Sequence, residues 1–333
     1  MTIADPPPDP VDPVVACDDL DAAIAAYTER GYRLDMIMPA DAPRIALLSR
    51  DGTTLRLEAI RDRNPLPTPA GNTPDLVLRR ADDHDAWPEG RAGMQYRDLI
   101  PGRVGGHAIA SHIRIPDGGP VPDYVHHHKV GFQMIYCRRG WVRVVYEDQG
   151  PSFVMHAGDC VLQPPTIRHR VLESSAGLEV VEVSSPALHE TWRDHELELP
   201  TPHQHPERVF GGQHFVRHVA ANAFWQQADG NGFEFRDTGI SDATHGRADV
   251  RVLRTMPHAT ANGACTTRLA RGHDLLFLFV LEGRLQLHGD TFGTHALQAD
   301  DACAMAHRTV CVLEASAPCE VLAVVMSFAS SPA

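Results

Sequence analysis

The chain has 333 residues, with 30 Lys plus Arg against 43 Asp plus Glu, a formal net charge of −13 and 43% hydrophobic residues. That hydrophobic content supports a packed interior and excludes a disordered chain, and the length allows two domains or one double domain. The acidic balance argues against nucleic acid or an anionic membrane as partner, and no run of about 18 apolar residues is available to cross a bilayer.

The first thirteen residues are rich in Pro and Asp and read as a loose arm; with neither a basic region nor an apolar core they do not resemble a signal peptide. Seven scattered cysteines, an odd number with no CxxC pair, fit free thiols in a reducing compartment. The expected location is therefore cytoplasmic. A helix over about 20–30 is predicted from a cap at Asp18 or Asp19, the apolar face Leu20, Ile24 and Tyr27, and the stop at Gly31. Strands at 32–38, 44–48 and 53–59 follow, the last two joined by the Asp51-Gly52 turn. Residues 61–75 carry four prolines and read as a linker that extends to about 94.

From about 95 the pattern becomes short strands divided by Gly, Pro and Asp: 109–115, 132–137, 141–147, 152–155, 160–163, 169–173 and 178–184. Such a series points to a sandwich or barrel. The segment also repeats. M-Q-Y-R-D-L at 94–99 returns as F-E-F-R-D-T at 233–238, and R-R-G-W-V-R-V at 138–144 returns as L-E-G-R-L-Q-L at 281–287. The near-constant offset predicts two copies of one barrel. Between them, 201–232 is a connecting segment, and H-E-T-W-R-D-H and N-A-F-W-Q-Q read as short helices or packed loops.

Chemistry concentrates in the first copy. His126 and His128 stand at i and i+2, so they share one face of a strand while His127 and Lys129 point away. Gly140 and Gly158-Asp159 supply turns, Pro164-Pro165 stiffens the approach, and His169 opens the next strand. A barrel can aim these three imidazoles, with Gln133, at one ion. Neutral imidazoles suit Fe, Mn, Co, Ni or Zn and leave the charge of the metal intact, which favours an anionic substrate. Four residues are candidates for the mouth of such a site: His112, Tyr124, Arg143 and Arg168, with a basic side chain able to clamp a carboxylate. Cys137 shares the parity of Gln133 and is read as core, and Trp141 and Tyr146 as structural.

These residues resemble the two motifs of the cupin superfamily. The first, G-x5-H-x-H-x3-4-E-x6-G, stands here as Gly119, His126, His128, Gln133 and Gly140, with one extra residue before the first histidine. The second, G-x5-P-x-G-x2-H-x3-N, stands as Gly158, Pro164, Thr166, His169 and Glu173. The departures are Gln133 for the acidic ligand, Thr166 for glycine and Glu173 for Asn. The resemblance implies a mainly β bicupin: two tandem double-stranded β-helix (jelly-roll) barrels. The first, 95–200, would bind the metal; the second, 233–333, would be a degenerate, metal-free copy, since it has no H-x-H pair and counting from Asp301 puts Val312 where His169 stands. His273 and His307 are the remaining histidines to consider there. Residues 20–60 more weakly resemble half of a glyoxalase-type (vicinal oxygen chelate) module, so 1–60 is expected to be a small α/β subdomain. Glu58 is its only candidate ligand, and the expected role is structural or dimerising.

A three-histidine centre is similar to those of gentisate-type, diketone and thiol dioxygenases. It implies Fe(II), with Zn, Mn or Ni as alternatives, and a small polar, anionic substrate together with O2. The enzyme alternative is a Zn- or Mn-dependent isomerase or lyase, and the non-enzyme alternative is a small-ligand-binding cupin. A homodimer is expected.

Overall fold

The computed structural model describes residues 13–60, 75–83, 87–269, 274–306 and 310–328. The chain is mainly β. Its helix Leu20–Glu29 begins where predicted, with Asp19 Oδ1 accepting from the Ala22 amide at 3.0 Å. Leu20 then packs with Ile37, Ala46, Leu48, Leu55 and Leu57 on the sheet formed by Arg33–Met38, Ile45–Arg50 and Thr53–Ala59. Asp51 and Gly52 both adopt positive φ (49° and 78°), the conformation a two-residue hairpin loop requires.

This N-terminal sheet runs into the first barrel. Arg33–Met38 pairs with Thr191–Arg193, whose other edge pairs with His126–His128. The segment 189–195, expected as helix or loop, is thus partly a strand. Its Thr-Trp-Arg core favours extended backbone, and it bridges two edges that would otherwise be open. One sheet therefore links the N-terminal strands to His126–His128, His169–Ser174, Trp141–Tyr146 and Phe153–His156. The second wall of the barrel orders Val216–His218, Cys160–Leu162, Phe132–Arg139, Leu178–Ser185, Ile109–Ile115 and Gln95–Asp98.

A second barrel repeats this topology around Leu275–Gly289 and Cys319–Met326. Val77–Arg79, placed in the linker by sequence, adds a strand to it beside Ala302–Ala306. The connecting segment also contributes at both ends: Val216–His218 joins the first barrel, and Trp225–Gln227 pairs with Phe233–Asp237 of the second. Residues 61–74 lie outside the described residues.

Alternation assigns each side chain to one of three cores. Val142, Val144, Met155, Val161 and Val180 fill the first barrel, and Leu253, Leu278, Leu287, Leu313 and Val321 fill the second. Between them lies a third core made by the outer faces of both: Phe132, Met134, Tyr136, Val181 and Val183 against Val250, Val252, Phe277, Phe279 and Val324. The facing strands are therefore apolar on both sides. That is why 132–137 carries a single polar amide, Gln133, in an otherwise apolar run.

Candidate metal centre

Two turns place the histidines. Gly140 has φ 76°, and a Cβ there would collide with Ser175, so the first motif needs glycine to reverse the chain. In the second motif Thr166 takes φ 65°, the left-handed conformation that costs a β-branched residue roughly 1–2 kcal/mol. Its amide donates to His128 O at 3.1 Å and ties the two motifs together. His169 then pairs directly with His126.

The three imidazoles converge. His126, His128 and His169 are buried, and their ligand atoms all lie within 4.8 Å of one another; among the described residues this is the one such His, Cys, Asp or Glu cluster. Each ring uses Nδ1 on a hydrogen bond: His126 to Tyr124 O at 2.8 Å, His128 to Thr191 Oγ1 at 2.9 Å, and His169 to Ile167 O at 3.0 Å. Holding the proton on Nδ1 turns the Nε2 lone pair of each ring toward the shared centre, the tautomer that binds a metal. The donor set therefore fits a first-row transition metal with three neutral nitrogens. Asp123 lies beside it, fully buried, with Oδ1 3.6 Å from His126 Nδ1 and its carboxylate accepting from the amides of Tyr124 and Val171. This acid supplies negative charge next to the site, and the motif comparison overlooked it.

Gln133 does point into the barrel, but its amide is committed at both ends. Oε1 accepts from Gln163 Nε2 at 3.0 Å and Nε2 donates to Glu182 at 3.1 Å, so Gln133 is a bridge in a polar network rather than a fourth ligand. Gln163 also lies 3.2 Å from His169 Nε2 and accepts from the Tyr146 hydroxyl at 2.8 Å. That contact to His169 must give way when a metal takes the same lone pair. The Tyr146 ring stacks on His169 with centroids 5.5 Å apart, and burial drives its phenol pKa up, so it remains a proton donor. Tyr146 thus belongs to the site as well as to the core.

Of the four mouth candidates, three lie elsewhere and Tyr124 adjoins His126. His112 faces the inter-barrel core, hydrogen-bonded to Glu179 at 3.1 Å and edge-on to Phe279, because inward positions on its strand are Ile113 and Ile115. Arg143 alternates with the inward Val142 and Val144 and forms a half-exposed pair with Glu173. Arg168 points opposite to His169 and pairs with Asp194 at 3.1 Å. Tyr124 acts through its carbonyl, while its ring meets the edge of His126 and lies under Arg193. Among the described residues, no arginine or lysine lines the cavity beside the histidines. That cavity holds about 70 Å³ and is walled by Ile113, Ile135, Val142, Val144, Met155 and Val180, with His128, His169, Gln163, Glu182 and the tyrosines Tyr96 and Tyr146 among its polar residues. Cys137 is buried in the same core, and burial pushes its thiol up to about 12, so it stays protonated. Glu58 pairs with Arg56 at 2.7 Å on the N-terminal sheet, far from any ligand cluster.

Strand register corrects the comparison with the second barrel. Tyr146 pairs with His169 across two neighbouring strands of the first barrel, and Gly289 pairs with Cys311 in their counterparts. His169 pairs with His126, and Cys311 pairs with Leu269. Cys311, not Val312, therefore occupies the place of His169; Val312 has the opposite parity and leaves the barrel interior. Leu269 replaces His126, and the described part of this barrel has lost its ligands. His273 and His307 lie outside the described residues.

Thr191→Val tests how much the hydroxyl contributes to holding the His128 ring. The substitution keeps the shape and removes the acceptor, and metal affinity is expected to fall by about 10- to 100-fold, read by competition with a chelator.

No family model and no curated protein matches this chain. Solved structures do. Protein Ylba from E. coli superposes with a TM-score of 0.51 at 11% identity, covering 78% of this chain and 93% of that one. A mutant oxalate decarboxylase from Bacillus subtilis gives 0.55 at 13%, covering 80% and 81%. HEPD from Streptomyces albus, with 2-hydroxyethylphosphonate and Fe(II) bound, gives 0.55 at 14%, covering 78% and 77%. At these identities the likeness speaks for the fold, and with the two jelly-roll barrels it establishes a bicupin architecture carrying one three-histidine site.

Proposed function

We propose that the protein is an Fe(II)-dependent dioxygenase acting on a small substrate that binds through an anionic oxygen or sulfur and presents an apolar body. The observation that carries this reading is the convergence of three Nδ1-anchored imidazoles beside a largely apolar cavity that His128 and His169 line. His126, His128 and His169 would hold the ion, which when bound supplies the redox link between an electron-rich substrate and O2. The similarity to HEPD, whose structure carries substrate and Fe(II), supports iron.

The rest falls to the chain's own residues. Ile135, Val142, Val144 and Val180 exclude water and leave room for only a compact molecule, so a short diketone or thiol fits better than an aromatic acid. With no basic side chain in the wall, the anionic end of the substrate has only the metal centre to balance it, and Glu182 disfavours a second negative charge. Tyr146 and the Gln163–Gln133–Glu182 chain orient the polar end.

Oxygen uptake separates this reading from a lyase, the chemistry named for the similar oxalate decarboxylases. Iron-loaded protein given 2,4-pentanedione or a small thiol is expected to consume O2 as substrate disappears and to stop in anaerobic buffer. Turnover that continues without O2 would remove the dioxygenase assignment.

A further inference from the structure

We infer that the second barrel is a binding site for a small monocarboxylate with an apolar tail, independent of metal. It contains a cavity of about 360 Å³, several times the volume beside the histidines and within the usual range for small-molecule sites.

The position of this cavity follows from strand register. Gln133 neighbours Met134, which pairs with Val183; Leu276 neighbours Phe277, which pairs with Val324. Leu276 is therefore the counterpart of Gln133. In the same frame Ala323 stands for Glu182, and Leu269 for His126. All three line the cavity. The second barrel has thus kept an opening where the first assembles its histidine cluster, but with His126, Gln133 and Glu182 replaced by two leucines and an alanine. The loss of the Glu182 side chain at Ala323 accounts for part of the added room.

Four charged residues line it, Asp229, Asp249, Arg251 and Arg268, and register gives Arg251 a special place. Glu182 pairs with Ser111, and Ala323 pairs with Arg251, so an arginine stands where the metal barrel has a serine. Arg251 shares the inward parity of Leu253, and its guanidinium lies over the Phe235 ring at 4.6 Å. Asp249 Oδ2 is 2.8 Å from its Nε, an ion contact that restrains the guanidinium, yet Nε is buried and makes no hydrogen bond among the described residues. An inward arginine above an apolar floor of Leu253, Leu269 and Leu276 matches a carboxylate on a short hydrocarbon. Guanidinium geometry favours the planar two-oxygen anion, and the leucines favour the tail. Asp229 and Asp249 line the same cavity as Arg251 and Arg268, so its charges balance and it favours a ligand with one negative charge over one with two.

Ligand-observed NMR titration of the full-length, metal-loaded protein with hexanoate tests the assignment, with hexanamide and hexylamine as neutral and cationic controls. Hexanoate is expected to bind best, with Kd near or below about 1 mM. Arg251→Gln should weaken hexanoate by at least about tenfold and change hexanamide little, whereas Ala323→Leu, which fills the floor, should weaken both. Because the site is separate from the metal centre, His169→Ala should leave hexanoate affinity unchanged whether or not the dioxygenase reading holds. The inference is overturned if wild type shows no binding, if hexylamine is preferred, if hexanoate binding is lost in His169→Ala, or if it survives in whichever of the two pocket variants folds.

Discussion

Replacing His169 with alanine is expected to reduce bound metal by at least about tenfold while the barrels remain folded. His169 is one of three imidazoles whose ligand atoms lie within 4.8 Å of one another, and two neutral nitrogens hold a divalent ion far less tightly than three. The structural cost is modest. The residue is buried, but its neighbour Gln163 keeps hydrogen bonds to Gln133 and Tyr146, so the lost contacts with Ile167 O and Gln163 amount to about 1–3 kcal/mol. Elemental analysis of protein loaded with Fe(II) anaerobically, alongside circular dichroism, reads both quantities. His127→Ala is the control. It sits between the two ligands in sequence but on the opposite face, opposite Trp192 in the neighbouring strand, and its loss should leave metal content unchanged. Equal metal in wild type and His169→Ala would refute the ligand assignment.

Truncating Phe277 to alanine is expected to destabilise the protein by about 3–5 kcal/mol, the usual cost of removing a buried phenylalanine. Phe277 is fully buried and belongs to the core shared by the outer faces of both barrels, with Met134, Val183, Val250 and Val324. Because this core joins the two units, the loss should move both together. Urea unfolding followed by a secondary-structure signal and by tryptophan fluorescence should shift to lower denaturant in one coincident transition. Two separated transitions, with the first barrel at its original midpoint, would show that the inter-barrel core does not couple them.

The histidine cluster was legible because strand geometry is strict. His126 and His128 at i and i+2 must share a face, and a later strand opening on His169 is where a barrel closes. The mouth residues were not legible for the same reason seen from the other side. Alternation separates His112 from Ile113 and Arg143 from Val144, but it does not say which of two buried faces is the barrel interior. In Leu178–Ser185 the pattern looked like apolar-in and polar-out, yet Val181 and Val183 face the neighbouring barrel and Glu182 faces the cavity. Gln163 carried a weak signal: a polar residue just before Pro164-Pro165 on a strand otherwise fully buried, Cys160–Leu162. Val312 in place of Cys311 follows from counting along the chain across strand connections of unequal length, which pairing resolves.

The sequence by itself determined the architecture and the histidine cluster: two repeated β barrels and three histidines in one of them, because turn residues and a two-residue period are local properties of the chain. Only the tertiary structure decided what surrounds those histidines. The docking of one barrel's outer face against the other sends His112 into a core, turns Glu182 and Gln163 toward the cavity, and leaves Arg251 above an open pocket in the second copy. Each strand has two faces of similar apolarity, and which one becomes the inside depends on contacts between residues more than a hundred positions apart.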